Sequence, residues 1–176
     1  MIRKYTPFSS WNEALSRFPQ CLDIDIQDGS TLLHLASLDE NISAMDFLMH
    51  HHVSIESVNA IEATPLMVAA YKGCATSVEW LLKHNADVLA RDFFSLTALH
   101  VAADVPMIVD MLVHYGASLD QVDEQGSTPL MIQITRRHQE AAALSIKKAG
   151  RCPIESERNR NRRDRGWADK VIGSSQ

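Results

Sequence analysis

Histidine offers the most open chemistry in this chain, which has 8 of them, three in a row at His50-His51-His52. Neutral imidazoles are good zinc ligands, so such a run suggests a metal site. The spacing argues against it. Consecutive residues on a helix point about 100° apart, and three cannot face one ion without unwinding it. His84 and His114 recur near the same point further along. There the negative end of a helix favours a partly protonated ring. No metal and no cofactor are expected. The three cysteines, Cys21, Cys74 and Cys152, are far apart and form no Cys-x-x-Cys pair. A disulfide framework is not expected, and a reducing compartment is the default. The expected location is the cytoplasm, with the nucleus left open. There is no phosphate-cradling Gly-rich loop, no Gly-x-Ser-x-Gly and no His-Glu-x-x-His. The chain is therefore not expected to be an enzyme.

The elements that would carry these residues come from a repeat. Thr31-Leu32-Leu33-His34-Leu35-Ala36, Thr64-Pro65-Leu66-Met67-Val68-Ala69, Thr97-Ala98-Leu99-His100-Val101-Ala102 and Thr128-Pro129-Leu130-Met131-Ile132-Gln133 align at spacings of 33, 33 and 31 residues. A second apolar block follows each: Phe47-Leu48-Met49, Trp80-Leu81-Leu82, Met111-Leu112-Val113 and the weaker Leu144-Ser145-Ile146. Thr caps a helix start, and Pro at the next position has its φ preset and no amide hydrogen to leave unpaired. The Leu two residues on and the Ala five residues on share one helical face. A lone pair of such helices cannot bury its apolar side, so neighbouring pairs must stack. The third repeat is two residues short, and Asp104-Val105-Pro106 must turn tightly into its second helix. Gln133-Ile134 stands where alanines would be, as suits a terminal repeat.

These registered copies resemble the ankyrin repeat. Asp92 and Asp123 match the leading Asp of that pattern, Gly29 and Gly126 its turn Gly, and His34 and His100 its motif His, across about residues 26–154. Leu32 departs from the pattern's Pro, and Met67 and Met131 from its His. The resemblance implies an all-α solenoid of four helix-turn-helix repeats, 26–58, 59–91, 92–122 and 123–154, joined by hairpin-like fingertip turns. It implies that the two histidines bridge backbone and Thr hydroxyl groups structurally. It also implies that residues just before each Thr, and the seventh and eighth after it, face a partner. Those fingertips are Gln27-Asp28-Ser30, Ala60-Ile61-Ala63, Phe93-Phe94-Leu96 and Glu124-Gln125-Ser127. The helix positions are Leu38-Asp39, Tyr71-Lys72, Asp104 and Thr135-Arg136.

One fingertip is unusual. Phe93, Phe94 and Leu96, with Ile61 beside and Tyr71 behind, would form an apolar centre rimmed by Asp28, Lys72, Glu124 and Arg136. Aromatic anchors inside a polar rim are the anatomy of a binding hot spot. The competing structural reading folds one Phe under the hairpin against the next repeat, or makes the patch a contact between copies.

The ends differ from the repeats. Residues 1–25 read as a lead-in and N-terminal capping helix. Ser10-Trp11-Asn12-Glu13 has capping-box spacing, Phe8, Trp11, Leu15 and Phe18 recur near helical period, and Pro19 stops the run. Residues 155–176 read as a basic, flexible tail, in which Trp167, Val171 and Ile172 make a short stripe for a docking helix. Residues 151–176 carry 7 Lys/Arg against 4 Asp/Glu, while residues 1–150 carry 10 against 18. The acidic body lacks the positive footprint that nucleic acid needs, and the tail leaves that contact open. No apolar stretch nears the roughly 20 residues of a membrane span. The basic start, Met1 to Pro7, has no apolar run behind it, so no signal peptide is expected. The expected function is a non-catalytic interaction module or adaptor, monomeric alone, that binds another protein through its fingertips and concave face. The alternative is an inhibitor or immunity-type protein whose acidity suits a basic enzyme such as a nuclease.

Overall fold

The computed structural model describes residues 28–102 and 104–149. The expected capping helix and basic tail lie outside them. Among the described residues eight helices form four pairs, with no β-strand. The pairs are α1 (Leu32–Leu38) with α2 (Ile42–His50), α3 (Pro65–Lys72) with α4 (Ala75–Lys83), α5 (Ala98–Val101) with α6 (Pro106–His114), and α7 (Pro129–Thr135) with α8 (Gln139–Ala149). First helices pack on first helices (α1 on α3, α3 on α5, α5 on α7), and α4, α6 and α8 stack likewise behind them. The result is the expected two-layered solenoid.

Small residues set how closely the first layer packs. Ala36, Ala69 and Ala102 hold the same register and are at most 1% exposed, so the neighbouring helix comes close to the backbone. Leu33, Leu66 and Leu99 from the first helices and Leu48, Leu81 and Leu112 from the second fill the space between the layers. Fully burying each such leucine is worth about 1.5–3 kcal/mol. The core thins at repeat four, where Leu130, Ile134 and Ala142 form a separate small cluster with Ile146. Gln133, in the alanine register of repeat four, is fully buried, and its Oε1 accepts from the Ser145 hydroxyl at 2.8 Å. The second helix thus supplies a donor for the amide oxygen that takes the alanine's place, while the buried Nε2 has no hydrogen-bond partner among the described residues.

Each first helix starts in one of two ways. Repeats two and four use Pro65 and Pro129 at the first turn, where Thr64 Oγ1 accepts from Met67 N and Thr128 Oγ1 from Met131 N, both at 3.4 Å. Repeats one and three have no proline and use histidine. Thr31 N donates to His34 Nδ1 and Thr97 N to His100 Nδ1, each at 3.1 Å. An amide can only donate, so each Nδ1 is the bare nitrogen and Nε2 carries the proton. His34 Nε2 then donates to Ala63 O at 2.9 Å, and His100 Nε2 to Gln121 O at 3.1 Å and Ser127 O at 3.3 Å. Both rings are fully buried and tie one repeat to the hairpin that opens the next. Burial holds both pKa values below the ordinary 6.5.

Repeat three shows what its two missing residues remove. Helix α5 has four residues where α3 has eight and α7 seven. The chain leaves the helix at Ala102, whose φ of −48° and ψ of 133° are extended, and re-enters at Pro106. A proline disfavours helical geometry in the residue before it, so Val105 is extended as well.

Candidate functional site

The fingertips are hairpins held by one side chain each. Asp92 Oδ1 accepts from Phe94 N and Leu96 N, both at 2.9 Å, and Asp123 Oδ1 accepts from Gln125 N at 2.9 Å and Ser127 N at 2.8 Å. Asn59 does the same for Ile61 N at 3.1 Å and Ala63 N at 3.0 Å. Sequence reasoning missed Asn59. The signal was its place five residues before Thr64, since an Asn carbonyl closes such a turn as well as a carboxylate does. The residue two before each Thr has a left-handed φ: Gly29, Glu62, Ser95 and Gly126. The hairpins also join each other. Ala60 N donates to Asp28 O and Phe93 N to Ile61 O at 3.0 Å, and Glu124 N to Phe94 O at 3.4 Å.

This backbone rail leaves the phenylalanines nothing to fold under. Phe93 is 61% and Phe94 49% exposed, and their rings meet edge to face with centroids 5.4 Å apart. The reading that one Phe packs beneath its hairpin is therefore wrong. Asp92 holds the turn by its backbone, and both side chains project outward. Ile61 is exposed next to them, bound through its carbonyl to Phe93 N, and Glu124 follows on the other side. Leu96 is half-buried and contributes less to the patch than its sequence suggests.

The remaining expected contact residues group differently. Tyr71, 55% exposed, lines a groove of about 350 Å³ with Val101, Arg136 and His138. Lys72 Nζ sits 5.8 Å from the centre of the Tyr71 ring. Asp104 is occupied structurally, its Oδ1 accepting from Ala141 N in the first turn of α8 at 3.0 Å. Glu40 does likewise at the junction of repeats one and two, accepting from Thr76 N at 3.0 Å.

The histidine run has diverging partners. His50 Nδ1 donates to Asp46 O at 2.9 Å, the His51 ring lies against Phe47, and His52 takes a left-handed φ of 61°. His84 stacks on Trp80 and donates to its carbonyl at 2.8 Å. Cys74 Sγ donates to Leu38 O at 3.4 Å, and burial raises its pKa, so it is a thiol and not a nucleophilic thiolate.

Residues 56–102 match the family model for ankyrin repeats in many copies, and residues 95–124 match that for the single ankyrin repeat. The ankyrin repeat protein nuc-2 of Neurospora crassa is 32% identical over 121 residues, 66% of this chain and 11% of the relative. Palmitoyltransferase akr1 of Schizosaccharomyces pombe is 35% identical over 115 residues, 62% of this chain and 18% of the relative. Rabankyrin-5 of Mus musculus is 32% identical over 133 residues, 67% of this chain and 11% of the relative. The chain thus spans less than a fifth of each of these proteins. What they share with it is the repeat, and stacked repeats of this kind are in general protein-interaction modules without catalysis of their own. The paired helices, the rail of hairpins and the matched repeat models agree in register: the chain belongs to the ankyrin-repeat family.

Proposed function

We propose that this chain binds a partner protein through the tip surface built on Phe93, Phe94 and Ile61, and acts as an adaptor. The observation that carries the reading is the exposure of two adjacent phenylalanines on a turn whose backbone amides, Asp92 to Leu96, are all hydrogen-bonded. Water-exposed aromatic pairs invite association, and a rigid support lowers the entropy lost on binding. Glu124 and Lys72 supply polar groups for a rim, the arrangement in which aromatic anchors contribute most. An inhibitor that works by its acidity would instead lose association rate steeply with salt.

The test is affinity capture from native cell extract with wild type and a Phe93→Ala, Phe94→Ala double variant. The double variant is expected to weaken capture of the specific partner by about 2 kcal/mol or more, with the thermal melt unchanged. Equal capture by both proteins would remove the tip as the contact. A lost fold would show that the rings serve stability.

A further inference from the structure

The groove lies where repeat three lacks the end of its first helix. Helix α5 packs between α3 and α7 but stops at Val101, so the flank of Tyr71 on one side and the turn after α7 on the other stay uncovered. Val101 lines the floor, and Arg136 and His138 close the far side. The cleft of about 350 Å³ matches the low end of sites that hold a small ligand or a pair of side chains.

Its charge contrasts with that of the surrounding domain. Residues 1–150 are acidic, 18 Asp/Glu against 10 Lys/Arg. Around the groove the order reverses. Arg136 lines it, Arg137 follows in the same turn, and Lys72 sits beside the Tyr71 ring. Elsewhere among the described residues Lys83 pairs with Glu79, Lys148 with Asp110, and Arg91 donates to the Val122 carbonyl, while Lys147 on α8 has no ion pair. Lys72, Arg136 and Arg137 have no ion-pair partner among the described residues. Asp104, three residues after Val101, is taken by Ala141 N, and Glu140, two residues after His138, is the acid nearest in sequence to Arg136 and Arg137. A cleft of mixed lining, with Tyr71 and Val101 as its apolar part, Arg136 in its wall and Lys72 beside Tyr71, is complementary to an acidic side chain next to an apolar one.

We propose that this groove is a second contact subsite, which takes a partner segment carrying a glutamate or aspartate beside an aliphatic residue. The carboxylate meets Arg136, with Lys72 on the opposite rim, and the aliphatic group lies on Tyr71 and Val101. The subsite rests on the protein-binding reading and adds to it a preference for acidic sequence. An arginine fork is suited to a carboxylate in two-point contact, which a lysine would not reproduce.

The test uses the full chain, labelled for amide NMR, and capped hexapeptides in which leucine alternates with glutamate, glutamine or lysine. The glutamate peptide is expected to shift the amides of Tyr71, Val101 and His138 and to bind about fivefold more tightly than the glutamine peptide. Arg136→Gln should abolish that preference with the melt unchanged, while the Phe93→Ala, Phe94→Ala variant should retain it. Equal binding of all three peptides, shifts elsewhere, or no shift at low-millimolar peptide would overturn the subsite. Nuclear Overhauser contacts from residues 151–176 to Val101 in the peptide-free chain would also overturn it, by making the chain's own tail the occupant. Failure here with capture still dependent on Phe93 and Phe94 removes only the groove. Groove binding with capture independent of those rings removes the tip.

Discussion

The junction between repeats two and three is built differently from its neighbours. Between repeats one and two, buried His34 reaches Ala63 O, Glu40 reaches Thr76 N, and Trp80 Nε1 donates to Asp46 at 2.9 Å. Between repeats three and four, His100 reaches Ser127 O, Asp104 reaches Ala141 N, and Lys148 pairs with Asp110. Between repeats two and three the described polar ties are the Phe93 N to Ile61 O bond and the exposed Arg91 contact to Val122 O. Met67 stands where the histidine would be, so the middle junction rests on apolar packing. The expected contact surface, Ile61 with Phe93 and Phe94, spans that same junction. The difference teaches that polar pinning and exposed apolar surface have been allotted to different junctions of one stack.

The largest effect should come from removing a pin. His100→Leu leaves the Thr97 amide without its acceptor and two carbonyls without their donor. An expected loss of about 3 kcal/mol follows, measured by urea unfolding. Met67→Leu, at the same register in repeat two, should cost less than about 1.5 kcal/mol because only shape changes. Similar costs at the two sites would erase the distinction between junctions.

A second comparison sets the two ends of the hairpin rail against each other. A Cβ at Gly29 would sit 2.6 Å from Ala60 N, and φ there is +72°. Gly29→Ala should therefore cost about 2 kcal/mol or more, through both strain and a displaced repeat-two hairpin. At Gly126, φ is +75° but nothing lies within 4 Å, so Gly126→Ala should cost about 1 kcal/mol. Thermal melts of the pair check the order.

Acid should weaken only the pinned junctions. Burial depresses the folded pKa of His34 and His100. Their stabilising effect is then complete above the unfolded value of 6.5 and is lost as pH falls from there through the folded pKa. Protonated Nδ1 can no longer accept from Thr31 N or Thr97 N. Hydrogen exchange at those amides, corrected for intrinsic rate, should speed up between pH 7 and pH 5, and a His34→Met, His100→Met variant should flatten the pH dependence of the melt. The smallest effect belongs to the middle junction. Ser95 holds a left-handed φ of 60°, and Ser95→Gly should stabilise by up to about 1 kcal/mol without touching either pin.

Much of the fold was legible because a repeat is written locally. Threonine with proline or histidine marks each helix start, and a small residue marks each close approach. The shortened third repeat was visible as a spacing of 31, yet its consequence was not. Nothing local says that a helix ending at Val101 opens a cleft between Tyr71 and Arg136. Asp104 showed the same gap, being read as a contact residue when α8 uses it.

By itself the sequence determined the register of the helix pairs, and the family resemblance it carries implied the place of each hairpin and the structural role of His34 and His100. Those features follow from neighbours a few residues apart and from stacking one repeat on the next. Tertiary structure alone decided that both phenylalanines face water, that Gln133 is buried, and that Arg136 in the groove and Lys72 beside Tyr71 have no ion-pair partner among the described residues. Exposure and charge pairing depend on which distant side chains arrive at the same place, and local pattern does not encode that.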